Sequence, residues 1–152
     1  MSTSTHQKLV FVADLGGTHL RTAVVDEEGR IHHRSKIDTP QSNEPDQIVD
    51  ALVRSARKFA EDINLPGAFS AISVAVPGTV DVANGVVVKA PNVRSLDNFN
   101  LAAALEKELH CPVTIENDAN AAAVGEMWLG AGRGADTVIC VTLGTGVGGG
   151  II

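Results

Sequence analysis

Two glycine-rich segments, each directly after an apolar run, carry residue types that could bind phosphate. The first is Asp14–Thr18, where Gly16 and Gly17 lack a Cβ and would let backbone N–H groups approach an anion closely. Thr18 adds a hydroxyl donor, and Arg21 could place a positive charge nearby. The same residues suit a simple hairpin turn whose glycines serve positive φ, and the motif alone does not decide between the two interpretations. The segment is not a Walker A loop, because no lysine follows the glycines at the required spacing.

The second segment, residues 144–150, is richer in glycine than a turn needs. Glycine weakens a strand, so the run predicts close approach to the backbone, for instance by a ligand. A strand rather than a helix is expected to follow it, which separates it from the dinucleotide-binding fingerprint. Two strand–glycine–strand turns in one chain favour nucleotide binding between two lobes.

A cluster of polar residues at 116–120 lies where a strand is expected to meet a helix. Capping explains at least one of Glu116, Asn117 and Asp118, because Asn and Asp are favoured N-caps and an acid gains from the helix dipole. Asp118 would also point out of the carboxyl edge of a sheet, where ligands of α/β proteins bind. A carboxylate there could accept a proton from a sugar hydroxyl that attacks a γ-phosphate. Asn117 could hold neighbouring hydroxyls, since an amide both donates and accepts.

Three further positions are weaker candidates. Asp14 could hold Mg²⁺ through water, because hard cations prefer oxygen ligands. Gly78 and Asn92 each follow an apolar segment beside a proline. Ordinary turns explain both, although the Asn92 amide could equally exchange hydrogen bonds with a sugar hydroxyl.

An alternation of strands and helices must position these residues. Apolar patterns predict strands at 9–13, 21–26, 30–37, 71–76, 112–116 and 137–143, with a short strand at 86–88. Amphipathic or alanine-rich patterns predict helices at 48–63, 101–109 and 118–129. This order indicates an α/β fold with a mixed sheet, opening as an antiparallel meander. The last strand and glycine turn repeat the opening pattern, so we assign residues 1–134 to one lobe and 135–152 to the start of a second. On that basis the chain is expected to be a piece of a longer protein.

Composition narrows the function classes. The chain has 152 residues, 44% hydrophobic and 20% charged, with a formal net charge of -6. An acidic chain is a poor candidate for nucleic-acid binding, because such proteins need a basic face. No apolar run approaches the roughly 20 residues that span a bilayer, and the polar N-terminus predicts a cytoplasmic protein. The two cysteines, Cys111 and Cys140, are expected to be reduced and buried, and they cannot complete a cysteine zinc site.

Taken together, five motifs in order resemble the ROK (repressor, ORF, kinase) family of sugar kinases, within the hexokinase–actin–Hsp70 superfamily. The resemblance covers the chain from about Leu9 to Ile152, and its motifs are Asp14–Arg21, Val76–Gly78, Ala90–Asn92, Glu116–Asn120 and Leu143–Gly148. It implies a ribonuclease-H-like (actin-like ATPase) lobe with a mixed five-stranded sheet and helices on both faces, plus the first hairpin of a second, ATP-binding lobe.

The resemblance also implies roles for individual residues. Asp118 would be the catalytic base of an ATP-dependent hexose kinase, glucokinase-like and acting on glucose. The sugar would contact Gly78, Asn92 and Asn117. The ATP phosphates would face Gly16, Gly17 and Thr18 together with Gly144, Thr145 and Gly146.

ROK kinases continue into a larger domain with a Glu-x-Gly-His element and a cysteine-rich zinc site, and the sequence contains neither. The isolated chain is therefore expected to have negligible kinase activity, while the full-length protein is expected to be a homo-oligomer. Another hexose could replace glucose, and polyphosphate could replace ATP. A sugar-responsive repressor of the same family would need a helix-turn-helix domain, for which the residues before the first strand are too few. A sugar-binding module without chemistry is the remaining alternative.

Overall fold

The computed structural model describes residues 8–65, 69–143 and 147–152. Across these residues the strands are β1 (Leu9–Leu15), β2 (His19–Asp26), β3 (Ile31–Asp38), β4 (Ala71–Val76), β5 (Thr79–Asp81), β6 (Val86–Lys89), β7 (Phe99–Asn100), β8 (Val113–Asn117), β9 (Ile139–Leu143) and β10 (Val147–Ile151). The helices are α1 (Asp46–Asp62), α2 (Leu101–Leu109) and α3 (Asp118–Leu129), with a 3-10 turn at Arg94–Leu96.

The main sheet has five strands in the order β3-β2-β1-β4-β8. The first three strands form the predicted antiparallel meander, while β1, β4 and β8 run parallel. The carboxyl ends of these three parallel strands therefore meet at one edge. This arrangement confirms the predicted mixed α/β sheet.

Alternation along the strands builds a core on one sheet face. Phe11, Ile72 and Ile115 are buried there with the apolar stripe of α1 and with α2. The Phe11 and Phe59 ring centroids lie 6.0 Å apart, which joins β1 to α1. Helix α1 buries Leu52 and its neighbours at three- and four-residue spacing, as its sequence pattern predicts. Helix α2 begins at the predicted cap, where the Asn100 side chain accepts a hydrogen bond from the Ala103 N–H at 2.9 Å.

A second, three-stranded sheet, β5-β6-β7, follows β4. Its central strand is the short strand predicted at 86–88. The outer strands have only three and two residues, too few for alternation to show in a sequence. Val87 is fully buried, so this sheet joins the main core and anchors the segment that leads to Asn92.

The β2–β3 turn, at the opposite end of the sheet from the parallel carboxyl ends, encloses a buried carboxylate. The Asp26 side chain has no exposed surface. It accepts hydrogen bonds from the Glu28 N–H at 3.0 Å and from the Arg30 N–H and Nε at 2.9 and 2.8 Å, and His32 Nε2 lies 2.8 Å away. Burial alone would raise the pKa of Asp26, but these hydrogen bonds, led by that of His32, hold it well below its usual value near 3.8.

Helix α3 packs against the β9–β10 hairpin, and this contact explains part of the glycine run. A Cβ on Gly150 would lie 2.6 Å from the Ala119 carbonyl oxygen and 3.0 Å from the Ala123 Cβ, and one on Gly148 would lie 3.4 Å from the Ala119 Cβ. A ligand is therefore not what requires glycine at position 150, because α3 itself makes the close approach. At Gly148 the contact with α3 is an ordinary one, and the atom nearest to a Cβ would be the Thr142 hydroxyl oxygen on β9, at 2.5 Å. The other face of the hairpin is aliphatic and 59% to 82% exposed, through Ile139, Val141, Leu143, Val147 and Ile151.

None of the described helices has both the length and the apolar character needed to cross a bilayer. Both cysteines are free, but each is only partly buried, contrary to expectation. Cys111 still lies in surroundings that disfavour its thiolate, because burial and the nearby Glu106 raise its pKa.

Candidate functional site

The candidate site is built on the edge where β1, β4 and β8 end. Leu15 is the last residue of β1, Val76 of β4 and Asn117 of β8. Because adjacent parallel strands end together, the turns that follow them become neighbours. The edge thus gathers the glycine turn (residues 16–18), the Gly78 turn and the start of α3.

The glycine turn packs directly against Asn92. The Gly16 N–H donates to the His19 carbonyl at 2.9 Å and closes the turn. A Cβ on Gly17 would lie 2.9 Å from the Asn92 Cβ and 3.0 Å from the Asn92 backbone carbonyl oxygen. Gly17 is therefore required by a close approach rather than by positive φ. The structure thereby brings the candidate phosphate turn and a candidate sugar residue into contact.

Two residues that the sequence analysis did not single out hold the glycine turn from behind. The Thr39 N–H donates to the Thr18 carbonyl at 2.9 Å, and its hydroxyl donates to the Gly16 carbonyl at 2.6 Å. The Gln41 side-chain amide donates to the Gly17 carbonyl at 2.9 Å. The only signal in the sequence is a polar, proline-bearing stretch after β3, which gives no indication of its partner.

Asn117 joins the Gly78 turn to α3. Its amide nitrogen donates to the Gly78 carbonyl at 2.8 Å, while its oxygen accepts from the N–H groups of Ala119 and Asn120 at 2.9 and 3.1 Å. Asn117 is therefore the N-cap of α3. Gly78 has φ of +116°, and a Cβ there would collide with the Lys89 carbonyl. Glycine is required at this turn on both grounds.

Asp118 is exposed at the first position of α3. One carboxylate oxygen accepts from the Ala119 N–H at 2.8 Å. The helix N-terminus favours the negative charge of this carboxylate, whose remaining lone pairs can accept a proton or a hydrogen bond. Glu116, two residues earlier on β8, instead accepts hydrogen bonds from the Asn117 N–H and the Asn120 side-chain amide, at 2.8 and 3.2 Å.

Asp14 and Arg21 lie opposite each other on β1 and β2. Arg21 Nη1 is 3.0 Å from the Asp14 carboxylate, and the two side chains are 58% and 50% exposed. A pair this exposed is weakly held, so either partner can be drawn to another charge. The described residues contain no group of three or more acidic, histidine or cysteine side chains that could enclose a metal ion. A cation at Asp14 would need most of its oxygen ligands from water or from a bound phosphate.

A polar cleft of about 320 Å³ adjoins the glycine turn, lined by residues 39–43 and 92–95. A larger hollow of about 560 Å³ is lined by residues of β1, β2 and β3. Of the predicted site residues, that hollow includes only Asp14 and Arg21. The polar cleft includes only Asn92 of them. The remaining predicted residues, Gly144, Thr145 and Gly146, lie outside the described residues.

Comparison with known proteins identifies relatives along nearly the whole chain. The chain is 40% identical over 144 residues to a glucokinase of Streptomyces coelicolor, an alignment that covers 95% of this chain and 43% of the relative. It is 41% identical over 138 residues to a β-glucoside kinase of Listeria monocytogenes, covering 91% of this chain and 44% of the relative. A solved ROK family glucokinase from Streptomyces griseus, in complex with glucose and AMPPNP, has a TM-score of 0.83 at 42% identity, over 95% of this chain and 44% of that one.

The chain thus spans under half the length of these relatives. The model of the ROK family itself matches residues 10–152. The chain belongs to the ROK family.

Proposed function

We propose that the full-length protein transfers the γ-phosphoryl group of ATP to a hexose, with glucose as the first substrate to test. The observation that carries this proposal is the meeting of four elements at one sheet edge: the glycine turn, Asn92, the Gly78 turn and exposed Asp118. A sugar between Asn92 and Asp118 would lie beside a turn suited to phosphate. Relatives named glucokinase and β-glucoside kinase support a sugar as the acceptor, and the solved relative with glucose and AMPPNP supports ATP as the donor.

Asp118 is the proposed general base. Its exposure and its single local hydrogen bond leave the carboxylate able to accept a proton from the attacking hydroxyl. Asn117 has a proposed role in positioning as well as in binding, because its side-chain oxygen caps α3 and one of its amide N–H groups donates to Gly78. It positions Asp118 and retains one N–H for the sugar. Gly78 and Asn92 would complete the sugar contacts on this side.

The glycine turn is the proposed phosphate site, with Gly16, Gly17 and Thr18 nearest to the nucleotide and Gly144–Gly146 approaching from the second segment. Arg21 would contribute its charge to the phosphates. Asp14 would be the protein ligand of Mg²⁺, whose other ligands would be phosphate and water oxygens. The ion, when bound, neutralises developing phosphate charge. The chain's own part is to present Asp14 at the end of β1 and to exchange its Arg21 partner for the cation.

Asp118→Asn in the full-length gene product tests this proposal. We expect phosphorylation of glucose by ATP to fall about 10²- to 10⁴-fold, as for loss of a general base. The midpoint of thermal unfolding should stay close to wild type, because asparagine can also accept from the Ala119 N–H. Asp50→Asn, at an exposed position in the second turn of α1, is the matched control and should retain full activity. Activity in Asp118→Asn equal to the control would disprove the assignment of the base.

A further inference from the structure

Three successive carbonyl groups of the glycine turn are held by two side chains and one backbone N–H from one short segment. The Gly16 carbonyl accepts from the Thr39 hydroxyl, the Gly17 carbonyl from the Gln41 amide and the Thr18 carbonyl from the Thr39 N–H, over distances of 2.6 to 2.9 Å. Turns normally leave most of their carbonyls to solvent. Here every carbonyl from 16 to 18 is directed toward the segment that follows β3.

The two anchoring residues are themselves fixed. Thr39 is only 3% exposed, so its hydroxyl has few alternative partners. Gln41 is exposed, but the same amide nitrogen that reaches Gly17 also donates to the Thr39 carbonyl at 3.0 Å. Both N–H groups of the Gln41 amide therefore serve this anchor. The three bonds behave as one unit that sets the conformation of the turn.

Because the peptide bond is planar, the hydrogen bonds to these carbonyls also fix the direction of the N–H groups that follow them. In a trans peptide the C=O and the following N–H point in opposite directions. Holding the Gly16 and Gly17 carbonyls toward Thr39 and Gln41 thus directs the N–H groups of Gly17 and Thr18 to the opposite side. N–H groups presented together in this way attract anions.

We propose that Thr39 and Gln41 are positioning residues, which fix the direction of the turn's N–H groups and so preorganise it for the phosphates of the nucleotide. This inference rests on the proposed kinase function and extends it to two residues that would not touch the substrates' reacting atoms. Preorganised donors need no rearrangement when the ligand binds. The effect should therefore appear in nucleotide affinity and not in overall folding alone.

Thr39→Val, which keeps the shape and removes the hydroxyl, is the first test. In the full-length protein we expect binding of a non-hydrolysable ATP analogue, measured by calorimetry, to weaken about 3- to 10-fold, the effect of one hydrogen bond. Glucose binding without nucleotide should change less than about twofold. Thr39→Ser restores the hydroxyl and should recover nucleotide affinity.

Gln41→Leu keeps the test informative if burial makes Thr39→Val unstable, because Gln41 is exposed. It should weaken binding of the ATP analogue in the same direction and by a similar factor. Matched controls are Thr114→Val on β8 and Gln47→Leu on α1, both at exposed positions away from the turn. Neither control should alter nucleotide affinity.

Three results would overturn the inference. One is unchanged binding of the ATP analogue in both Thr39→Val and Gln41→Leu, whatever their stability. The second is an equal loss of glucose and nucleotide affinity, which indicates general disruption. The third is failure of Thr39→Ser to recover nucleotide affinity. A wild-type protein that bound neither glucose nor nucleotide would instead remove the proposed function, on which this inference depends.

Discussion

The two ends of the main sheet use carboxylates in opposite ways. At the β2–β3 turn, Asp26 is fully buried and surrounded by donors from Glu28, Arg30 and His32. At the carboxyl edge of the parallel strands, Asp118 is exposed and accepts one hydrogen bond, from its neighbour Ala119. The first carboxylate is hydrogen-bonded within the protein, while the second can still accept hydrogen bonds from a ligand.

This difference shows how a structural acid can be told from a candidate catalytic one. A buried carboxylate must be satisfied by its surroundings, since leaving it unpaired costs far more than the pair contributes. An acid that serves chemistry needs access and spare lone pairs. Substitutions at structural positions should therefore lower stability, while those at site positions should lower activity. Three substitutions, at Asp26, Gly150 and Gly17, test this division in decreasing order of their expected effect on stability.

Asp26→Asn should cause the largest loss of stability. Asparagine replaces one acceptor oxygen with an NH₂ group that faces the Arg30 and His32 donors, so we expect thermal unfolding to shift down by more than about 5 °C. Glu27→Gln is the adjacent control, in an exposed pair with Lys8, and should shift it little. An Asp26→Asn protein as stable as the control would show that the buried carboxylate is not required for stability.

The pH dependence of stability gives a further test of Asp26, in a comparison of wild type with Asp26→Asn. Because the folded-state pKa of Asp26 is lowered, its contribution to stability is complete above the unfolded-state value near 3.8 and is lost as pH falls toward the folded-state pKa. The wild-type midpoint should therefore drop more steeply below pH 4 than that of Asp26→Asn.

Gly150→Ala should have the next largest effect on stability. It tests whether packing against α3, and not a ligand, requires glycine at this position. The new Cβ would meet the Ala119 carbonyl at 2.6 Å, so the hairpin must move away from α3, at a cost of about 1–3 kcal/mol in the free energy of unfolding. Gly149→Ala is the matched control, because its Cβ would meet only the Cys140 oxygen, at 3.7 Å. Equal stability of the two variants in denaturant titration would contradict the packing explanation of the glycine run.

Gly17→Ala should have the smallest effect on stability, about 1–2 kcal/mol, because its Cβ would meet Asn92 at 2.9 Å, a milder overlap than the one at Gly150, and Asn92 would have to shift. The same shift displaces a proposed sugar contact, and small displacements of substrate-positioning groups are costly to function. We expect the KM for glucose of the full-length protein to rise about tenfold. A variant with reduced stability and an unchanged KM would make Gly17 a structural residue like Gly150.

Sequence patterns were sufficient where a signal is local. Strand β4 was predicted at the residues where it is found, and the caps at Asn100 and Asn117 follow from side chains that act within three residues. The apolar periodicity of α1 likewise identifies its buried face, because one helix face repeats every three or four residues.

The remaining features depend on partners distant in sequence. Gly150 needs glycine because of Ala119 on α3, and the Thr39 hydroxyl matters because of Gly16 in the glycine turn, 23 residues earlier. A single sequence carries no pattern that links such positions. The short outer strands β5 and β7 were missed for the different reason that two or three residues show no periodicity. The roles assigned to Asn92, Asp118 and the glycine turn stay predictions until the variants are measured.

The parallel order of β1, β4 and β8 has a consequence for how the protein folds. Val10 pairs with Ala71, and Ile72 pairs with Val113, so the edge that carries the site exists only after contacts between remote parts of the chain have closed. Such contacts are entropically expensive and form slowly. A partly folded chain would therefore have no weakened version of the site, and sugar or nucleotide would bind the native state alone. By mass action, the full-length protein saturated with the proposed ligands should unfold less often and resist proteolysis longer than the ligand-free protein.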